Sequence, residues 1–451
     1  MHIFELTITN AMEKAPDYIK DLNDLDAIVT AKLYSFNITP IEIKIDQNYY
    51  YWDKIKYLKT DYGDSEYLWQ VTKMKRKFIE KKILLKSSNS SKISFNYNIN
   101  QYLQQKLHYL DFNFGAGIQK EQLLSDIDKH RYLTNSLMEE SIFSSMIEGA
   151  TTTRIKAKEM LRKEKKPANK SEQMILNNYK TIQYISENKN EEISKERLFE
   201  IHKLVTENTL ESENVGVFRN SDDVKVMNQI TGEIVHNPPP FSELESLMNS
   251  FCFFFNENPK ENFIHPIVKA SILHFLIGYI HPFVDGNGRT ARALFYWYLL
   301  KNGYWLTEYL SISRVILKSK TQYEKAYIYT EIDEMDVSYF IHYQVKVLIQ
   351  AFENLKEYIL NKKNEENQFS KYLKIPNLNE RQAQILFWIE ENANRFFTVK
   401  EIENIFNVTN QTARTDIEDL VDLNYLKKVS INKKSFNYWK GENFDKLFPN
   451  F

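Results

Sequence analysis

His281-Pro-Phe-Val-Asp285-Gly-Asn-Gly-Arg289-Thr-Ala-Arg292 packs one histidine, one carboxylate, two glycines, an amide and two arginines into twelve positions. A core segment has no use for that mixture. A site that holds a polyphosphate beside a proton acceptor uses every member. Upstream, Ile267 to Ile280 is almost entirely apolar with a helical spread, so it reads as a buried helix. Pro282 pushes His281 out of the α region and stops that helix at the histidine, where the helix dipole favours the imidazolium and raises its basicity. Gly286 and Gly288 allow a tight turn and close approach of a ligand to bare N–H groups. From Arg289 a second helix begins, and its first turn is an anion site. Arg289 and Arg292, three apart, add positive charge to it.

Asp285 beside such a nest is repulsive unless a divalent cation, most often Mg²⁺, bridges it to phosphate oxygens. His281 takes a proton from an incoming hydroxyl. The set suits transfer of a phosphate-linked group to a hydroxyl, by positioning and charge stabilisation. Gly286-Asn-Gly-Arg-Thr-Ala291 also fits a dinucleotide fingerprint, but that fingerprint follows a strand, and here a helix precedes it. No P-loop pattern occurs. The bland alternative is a helix–loop–helix with a polar turn.

The stretch resembles the signature of the Fic family, His-x-Phe-x-Asp/Glu-Gly-Asn-Gly-Arg-x-x-Arg, at every fixed position. Fic enzymes mostly transfer AMP from ATP to a side-chain hydroxyl of a target protein. The resemblance implies that His281 is the base, Asp285 binds Mg²⁺, and Gly286, Asn287 and Gly288 form the anion hole. Arg289 and Arg292 then handle the outer phosphates, and Thr290 lies among the ATP-binding residues.

Working outward, His130 to Gly149 reads as a helix ending at a glycine stop. Within it Ser144-Ser-Met-Ile-Glu148-Gly resembles the family's inhibitory motif, Ser/Thr-x-x-x-Glu-Gly/Asn. The resemblance implies that Glu148 pairs with Arg292, and Ser144 shares its face. An ordinary polar face near a helix end is the alternative. Two short alternating runs around Thr231-Gly232 predict a hairpin; the family places a flap here that lines up the target segment through main-chain pairing. Lys225, Val226 and Met227 then lie near the nucleotide. Family resemblance also sets Tyr323 against the adenine, although an aromatic there is equally normal core. His274, two turns before His281, supports the site or is a satisfied core histidine.

The fold expected is mainly α: a Fic-type helical core with a β-hairpin flap, a mixed N-terminal domain (1–113) and a C-terminal winged helix-turn-helix (378–451). The Fic domain covers 114–360, with its inhibitory helix at 130–149, and 361–377 is a linker. In the leading region Ala31 to Phe36 and Ile41 to Ile45 alternate like strands, Tyr67 to Lys82 looks helical and basic, and Ser87 to Ser91 is a loop. A solvated helix face over an aromatic core is preferred there to a nucleic-acid contact. In the winged helix, Arg414 of the recognition helix is outnumbered by Asp416, Glu418, Asp419 and Asp422, the wrong sign for phosphate. Lys427, Lys428, Lys433 and Lys434 of the wing keep DNA open, yet a protein-contact or homodimerisation module is favoured.

A net charge of −1 offers nothing global for nucleic acid or an anionic membrane. A single cysteine, Cys252, excludes an internal disulfide and any multi-cysteine metal site. Neither a signal peptide nor an apolar run near about 18 residues is read, so a cytoplasmic chain is expected. The reading is a protein adenylyltransferase using ATP and Mg²⁺, acting on a target protein's hydroxyl or on itself. Removal of AMP, transfer of another phosphate-linked group, or a nucleotide-sensing DNA-binding regulator are the alternatives.

Overall fold

The computed structural model describes residues 13–18, 39–59, 64–86, 92–114, 126–227, 232–257, 260, 262–392, 394–406, 408–432 and 435–447. Its contacts divide the chain into two units, Met1–Glu353 and Asn354–Phe451. The Ala31–Phe36 strand and the Ser87–Ser91 loop expected from the sequence lie outside the described residues.

The first unit begins with α1 (Pro40–Asn48). This corrects the strand expected at Ile41 to Ile45. Thr39 accepts from the Glu42 amide at 3.3 Å, and the Glu42 carboxylate accepts from the Thr39 amide at 2.9 Å. With Pro40 in the first turn, this capping box outweighs a five-residue alternation. A short α2 (Trp52–Ile55) and α3 (Ser65–Phe78) follow. The basic face of α3 is not simply solvated: Lys73 and Arg76 are buried. Lys73 Nζ lies 2.7 Å from Asp333, and Arg76 Nη1 donates to the Tyr339 hydroxyl at 2.9 Å. Strands β1 (Lys81–Lys86) and β2 (Lys92–Tyr97) pair antiparallel, with Ile83 opposite Phe95. Helix α4 (Gln101–Phe114) completes this region. The leading region is therefore packed into the same unit as the helical core, through buried ion pairs and hydrogen bonds.

The core contains α5 (Asp126–Ile147), α6 (Arg154–Arg162), α7 (Lys170–Glu187) and α8 (Lys195–Thr206). Then come β3 (Val226–Met227) and β4 (Ile234–His236), antiparallel, with Val226 opposite His236. Helices α9 (Leu244–Asn256), α10 (Pro266–Ile280) and α11 (Asn287–Lys301) follow. They lead to α12 (Ile312–Lys318), α13 (Lys320–Ile332) and α14 (Ser338–Leu373). Helices α10 and α11 pack on each other at the centre, and Ile272, Leu273, Leu276, Leu294 and Trp297 are fully enclosed. Each such side chain contributes about 1.5–3 kcal/mol. That pair is the rigid frame on which the loop 281–286 hangs. Cys252 is apolar filler, and burial raises its thiol to about 11.

Helix α14 corrects the expected linker. Residues 361–373 continue it, because Lys, Glu, Gln and Asn without Gly or Pro do not break a helix. It ends ahead of Pro376, as the residue before a proline disfavours the α region.

The second unit holds α15 (Glu380–Glu391), α16 (Val399–Phe406) and α17 (Asn410–Asp422). The wing strands β5 (Leu426–Asn432) and β6 (Ser435–Lys440) pair antiparallel. Ile385, Leu386, Ile402, Ile417 and Leu420 form its core. Of the four acids of α17, Asp416 alone is buried, Glu418 is half-buried, and Asp419 and Asp422 are exposed. Asp416 is buried against Arg381 at 2.6 Å, Glu418 pairs with Lys428 at 2.6 Å, and Asp419 accepts from Gln382 at 3.0 Å. Asn410, Gln411, Arg414 and Thr415 are the exposed residues at its N-terminal end. Lys433 and Lys434 lie outside the described residues.

Candidate active site

Helix α10 ends at Ile280, and His281 caps it in the left-handed region, φ 49° and ψ 58°. A non-glycine residue there is uncommon and needs its surroundings to hold it. Arg219 does so. Its Nε donates to the His281 carbonyl at 3.0 Å, its backbone amide to the Pro282 carbonyl at 2.9 Å, and its remaining guanidinium nitrogens to Ser221, Asp222 and Pro239. The histidine is not made more basic by the helix end, as expected from the sequence. Burial dominates and lowers it to about 4. Its Nδ1 faces the Gly278 carbonyl at 3.2 Å. A carbonyl only accepts, so the proton sits on Nδ1 and Nε2 keeps its lone pair.

His202, like Arg219, is a residue that sequence reasoning missed. The Gly216 amide donates to its Nδ1 at 3.0 Å, which fixes the neutral tautomer, and Nε2–H donates to the Asp285 carbonyl at 2.9 Å. Its ring stacks on Phe283 at 3.8 Å. Gly286 has φ +84°, and a Cβ there would stand 2.9 Å from Thr206 Cγ2. The loop is thus held from below by α8. The only sequence signal was a histidine on the apolar face of a helix.

Asn287 closes the loop on itself: its side chain accepts from the Phe283 amide at 3.0 Å and donates to the Phe283 carbonyl at 2.8 Å. Its amide group is therefore committed to loop shape, leaving its backbone at the start of α11. Asp285 Oδ1 accepts from the Gly286 amide at 2.6 Å, and Oδ2 lies 3.3 Å from Arg289, with the side chain 47% exposed. Arg289 turns inward and donates to the Val205 carbonyl at 2.9 Å. Thr290 is fully enclosed. Arg289 and Arg292 therefore do not present one common face to the loop.

Arg292 meets the helix expected to oppose it. Its Nε donates to Ser144 Oγ at 2.9 Å, and Nη2 to the Ser144 carbonyl at 3.0 Å and Glu148 at 2.8 Å. Its Nη1 is buried with no hydrogen-bond partner. A Cβ on Gly288 would fall 2.2 Å from Glu148 Oε1, so the carboxylate lies directly over the bare start of α11.

A cavity of about 240 Å³ joins these pieces. Glu148, His281, Gly288, Val226, Met227 and Tyr323 line it, together with His236 and Glu331. Lys225 is exposed and is not in the lining, nor are Asp285, Asn287, Arg289, Thr290 and Arg292. Tyr323 is held by His274, whose Nε2 lies 2.9 Å from its hydroxyl, while Gln344 meets His274 Nδ1 at 3.1 Å. The second flap strand is pinned as well: His236 contacts Glu331 at 2.8 Å and the Tyr279 carbonyl at 2.7 Å.

Residues 192–299 match the Fic/DOC family model, and residues 381–430 match a DeoR-like helix-turn-helix domain. The chain carries a Fic domain of the Fic/DOC family, followed by a winged helix-turn-helix. It is 37% identical over 118 residues to "Protein adenylyltransferase Fic" of Aedes aegypti, covering 26% of this chain and 21% of that one. It is 43% identical over 70 residues to the protein of the same name in Nematostella vectensis, covering 15% of this chain and 16% of the other. The chain thus spans about a fifth or less of these relatives. A Fic family protein from Desulfovibrio desulfuricans G20 superposes with a TM-score of 0.49 at 17% identity, covering 75% of this chain and 94% of that one. No described helix is long and apolar enough to cross a membrane.

Proposed function

We propose that the chain is a protein adenylyltransferase that moves AMP from ATP to a hydroxyl of a target protein or of itself, and that Glu148 holds it in check. The observation that carries this is the convergence of three groups on one cavity: the unprotonated His281 Nε2, the bare start of α11 at Gly288, and the Glu148 carboxylate joined to Arg292.

In this mechanism His281 Nε2 takes the proton of the acceptor hydroxyl as its oxygen bonds to the α-phosphorus. The bond from that phosphorus to the bridging oxygen breaks, and pyrophosphate leaves. The amides at 287–288 and the α11 dipole carry phosphate charge. The unpartnered Nη1 of Arg292 and the nitrogen now held by Glu148 receive the outer phosphates. Glu148 occupies the place the γ-phosphate needs. The cavity is smaller than the roughly 300 Å³ at the low end of ligand sites, as a blocked one should be. Val226 and Met227 offer strand edge to the acceptor segment.

Among the described residues there is no cluster of three metal-ligating side chains. Mg²⁺ does not require one, since it keeps waters and binds through one or two carboxylates plus substrate phosphates. Asp285, half-exposed at the loop, fits that pattern and would hold it. The ion would neutralise phosphate charge.

Incubation of the Glu148→Gly variant, freed of that check, with ATP labelled at the α or γ phosphate tests the reading. Label from the α position alone should enter protein, and His281→Ala should abolish it. Incorporation of γ label, or of none with any nucleotide, overturns it.

A second reading concerns residues 378–451. Because Asp416 is buried against Arg381 and Glu418 is neutralised by Lys428, the charge argument against DNA weakens. The exposed Asn410, Gln411 and Arg414 are side chains that read base edges. We infer a DNA contact through α17, tested by a gel shift whose affinity falls with salt.

A further inference from the structure

A second cavity, of about 360 Å³, lies behind α13, on the side away from the candidate active site. It shares no lining residue with the first. Helix α13 separates them: Tyr323 and Tyr327 face the Fic site, whereas Lys325 and Tyr329 face the other cavity. The remaining walls come from the end of α1 and the segment leading into α2, from α4 and from α14.

Two features distinguish this cavity. Its walls are aromatic: Tyr49, Tyr51, Tyr102, Tyr329 and Tyr343 line it. Tyr51 and Tyr329 are already stacked, with centroids 5.0 Å apart. Its charged lining is of one sign. Lys54, Lys106, Lys325 and Lys346 contribute, and no carboxylate does among the described residues. Lys54 and Lys325 share Asp53, which lies outside the lining, at 3.8 and 3.6 Å. Lys106 and Lys346 have no carboxylate partner among the described residues.

His342 is an independent pointer. It lines the cavity, is 8% exposed, and stacks with Tyr49 at 4.5 Å. Its Nε2 is buried without a hydrogen-bond partner. A buried polar atom left unpaired costs about 1–3 kcal/mol unless something satisfies it. Tyr49 itself is fixed by Asp336 at 2.5 Å and by the Arg76 guanidinium over its ring at 3.7 Å, so it forms a rigid back wall, and the half-buried Tyr102, Tyr329 and Tyr343 are the rings left open to a ligand.

We propose that this cavity binds a nucleotide-class ligand, a planar aromatic ring bearing phosphate, at a site separate from the Fic loop. The ring lies among the tyrosines, where stacking is favourable for any base. His342 supplies the one polar contact to the ring edge. The phosphate reaches Lys106 and Lys346 at the rim, where compact ammonium groups hold it as point charges. The volume falls within the roughly 300–1,000 Å³ of small-molecule sites. The proposal stands apart from the adenylyltransferase reading, since none of its residues belongs to that site.

The test is photolabelling of the full-length protein with 2-azido-AMP, followed by mapping of tryptic peptides. Label should appear in residues 45–54 and 93–106, which contribute Tyr49, Tyr51 and Tyr102. AMP should compete at least about tenfold better than adenosine or inorganic phosphate, because stacking and charge act together. The Lys106→Glu/Lys346→Glu double variant should lose that label about tenfold while its melting temperature and any label at 281–292 stay unchanged. Label confined to the Fic loop and Tyr323 overturns the proposal. So does equal competition by adenosine and AMP, or a double variant that labels like the unmodified protein.

Discussion

Replacing Glu148 by glycine removes the carboxylate that lies 2.8 Å from Arg292 and above Gly288. Two opposing consequences follow. Arg292 is 4% exposed at its side chain and Glu148 28%. Removing one partner of a fully buried pair costs about 3–5 kcal/mol, and the partly wet glutamate brings the loss here below that range, to about 2–3 kcal/mol. Ser144 keeps two hydrogen bonds to the guanidinium and limits the damage. At the same time the freed nitrogen and the unpartnered Nη1 become available to phosphate. One charge-assisted hydrogen bond contributes about 1.5–3 kcal/mol, or roughly 10- to 100-fold in affinity. Calorimetric titration with a non-hydrolysable ATP analogue, beside thermal melting, measures both. The variant should melt lower without nucleotide, bind the analogue 10- to 100-fold tighter, and recover stability as the ligand saturates. Glu148→Gln, which keeps the shape and loses the charge, should fall between. Equal affinity in all three proteins would refute the idea that this carboxylate competes with phosphate.

Other outcomes follow from the same geometry. His202→Ala leaves the Gly216 amide and the Asp285 carbonyl without their partner and removes the stack on Phe283. It should cost about 1–3 kcal/mol by denaturant titration and lower AMP transfer while His281 keeps its sequence environment. Because burial holds His281 at about 4, transfer should be flat across neutral pH and fall only as the base protonates near that value. A profile with its acid limb near 6.5 would contradict the burial argument. Burial likewise lowers His342 to about 3. The unfolded chain then binds more protons below about 6.5, so this stability is full above that pH and is lost progressively as pH falls towards 3. His342→Phe should flatten that slope in acid denaturation. Arg414→Ala should weaken any DNA shift, whereas Asp419→Ala should leave it within about twofold, because that carboxylate is bonded to Gln382 within the same unit.

Much of the site was legible because its chemistry is local. Twelve consecutive residues carry the turn glycines, the carboxylate, the histidine and both arginines, and a helix–loop–helix needs no distant partner to be recognised. The spacing of Ser144 and Glu148 likewise placed both on one helical face. Their meeting with Arg292 is 144 or more residues away in sequence, and only packing of α5 beside α11 brings it about. Thr39-Pro40 and Glu42 were readable as a helix start, and the Ile alternation hid them. The capping box is a set of local hydrogen bonds, so this helix start is written in the sequence alone.

What the sequence determined by itself was the loop's composition and the helices that flank it, since period, caps and breakers act over a few residues. The tertiary structure decided three things that no local rule contains. It set the protonation of His281, because burial depends on what packs around the ring and here overrides the helix dipole. It turned Arg289 and Thr290 inward and left Arg292 bonded to Ser144 and Glu148 of α5, although all three share one helical turn. It also enclosed a tyrosine-walled cavity between segments nearly 300 residues apart, because side chains distant along the chain become neighbours only when the core closes.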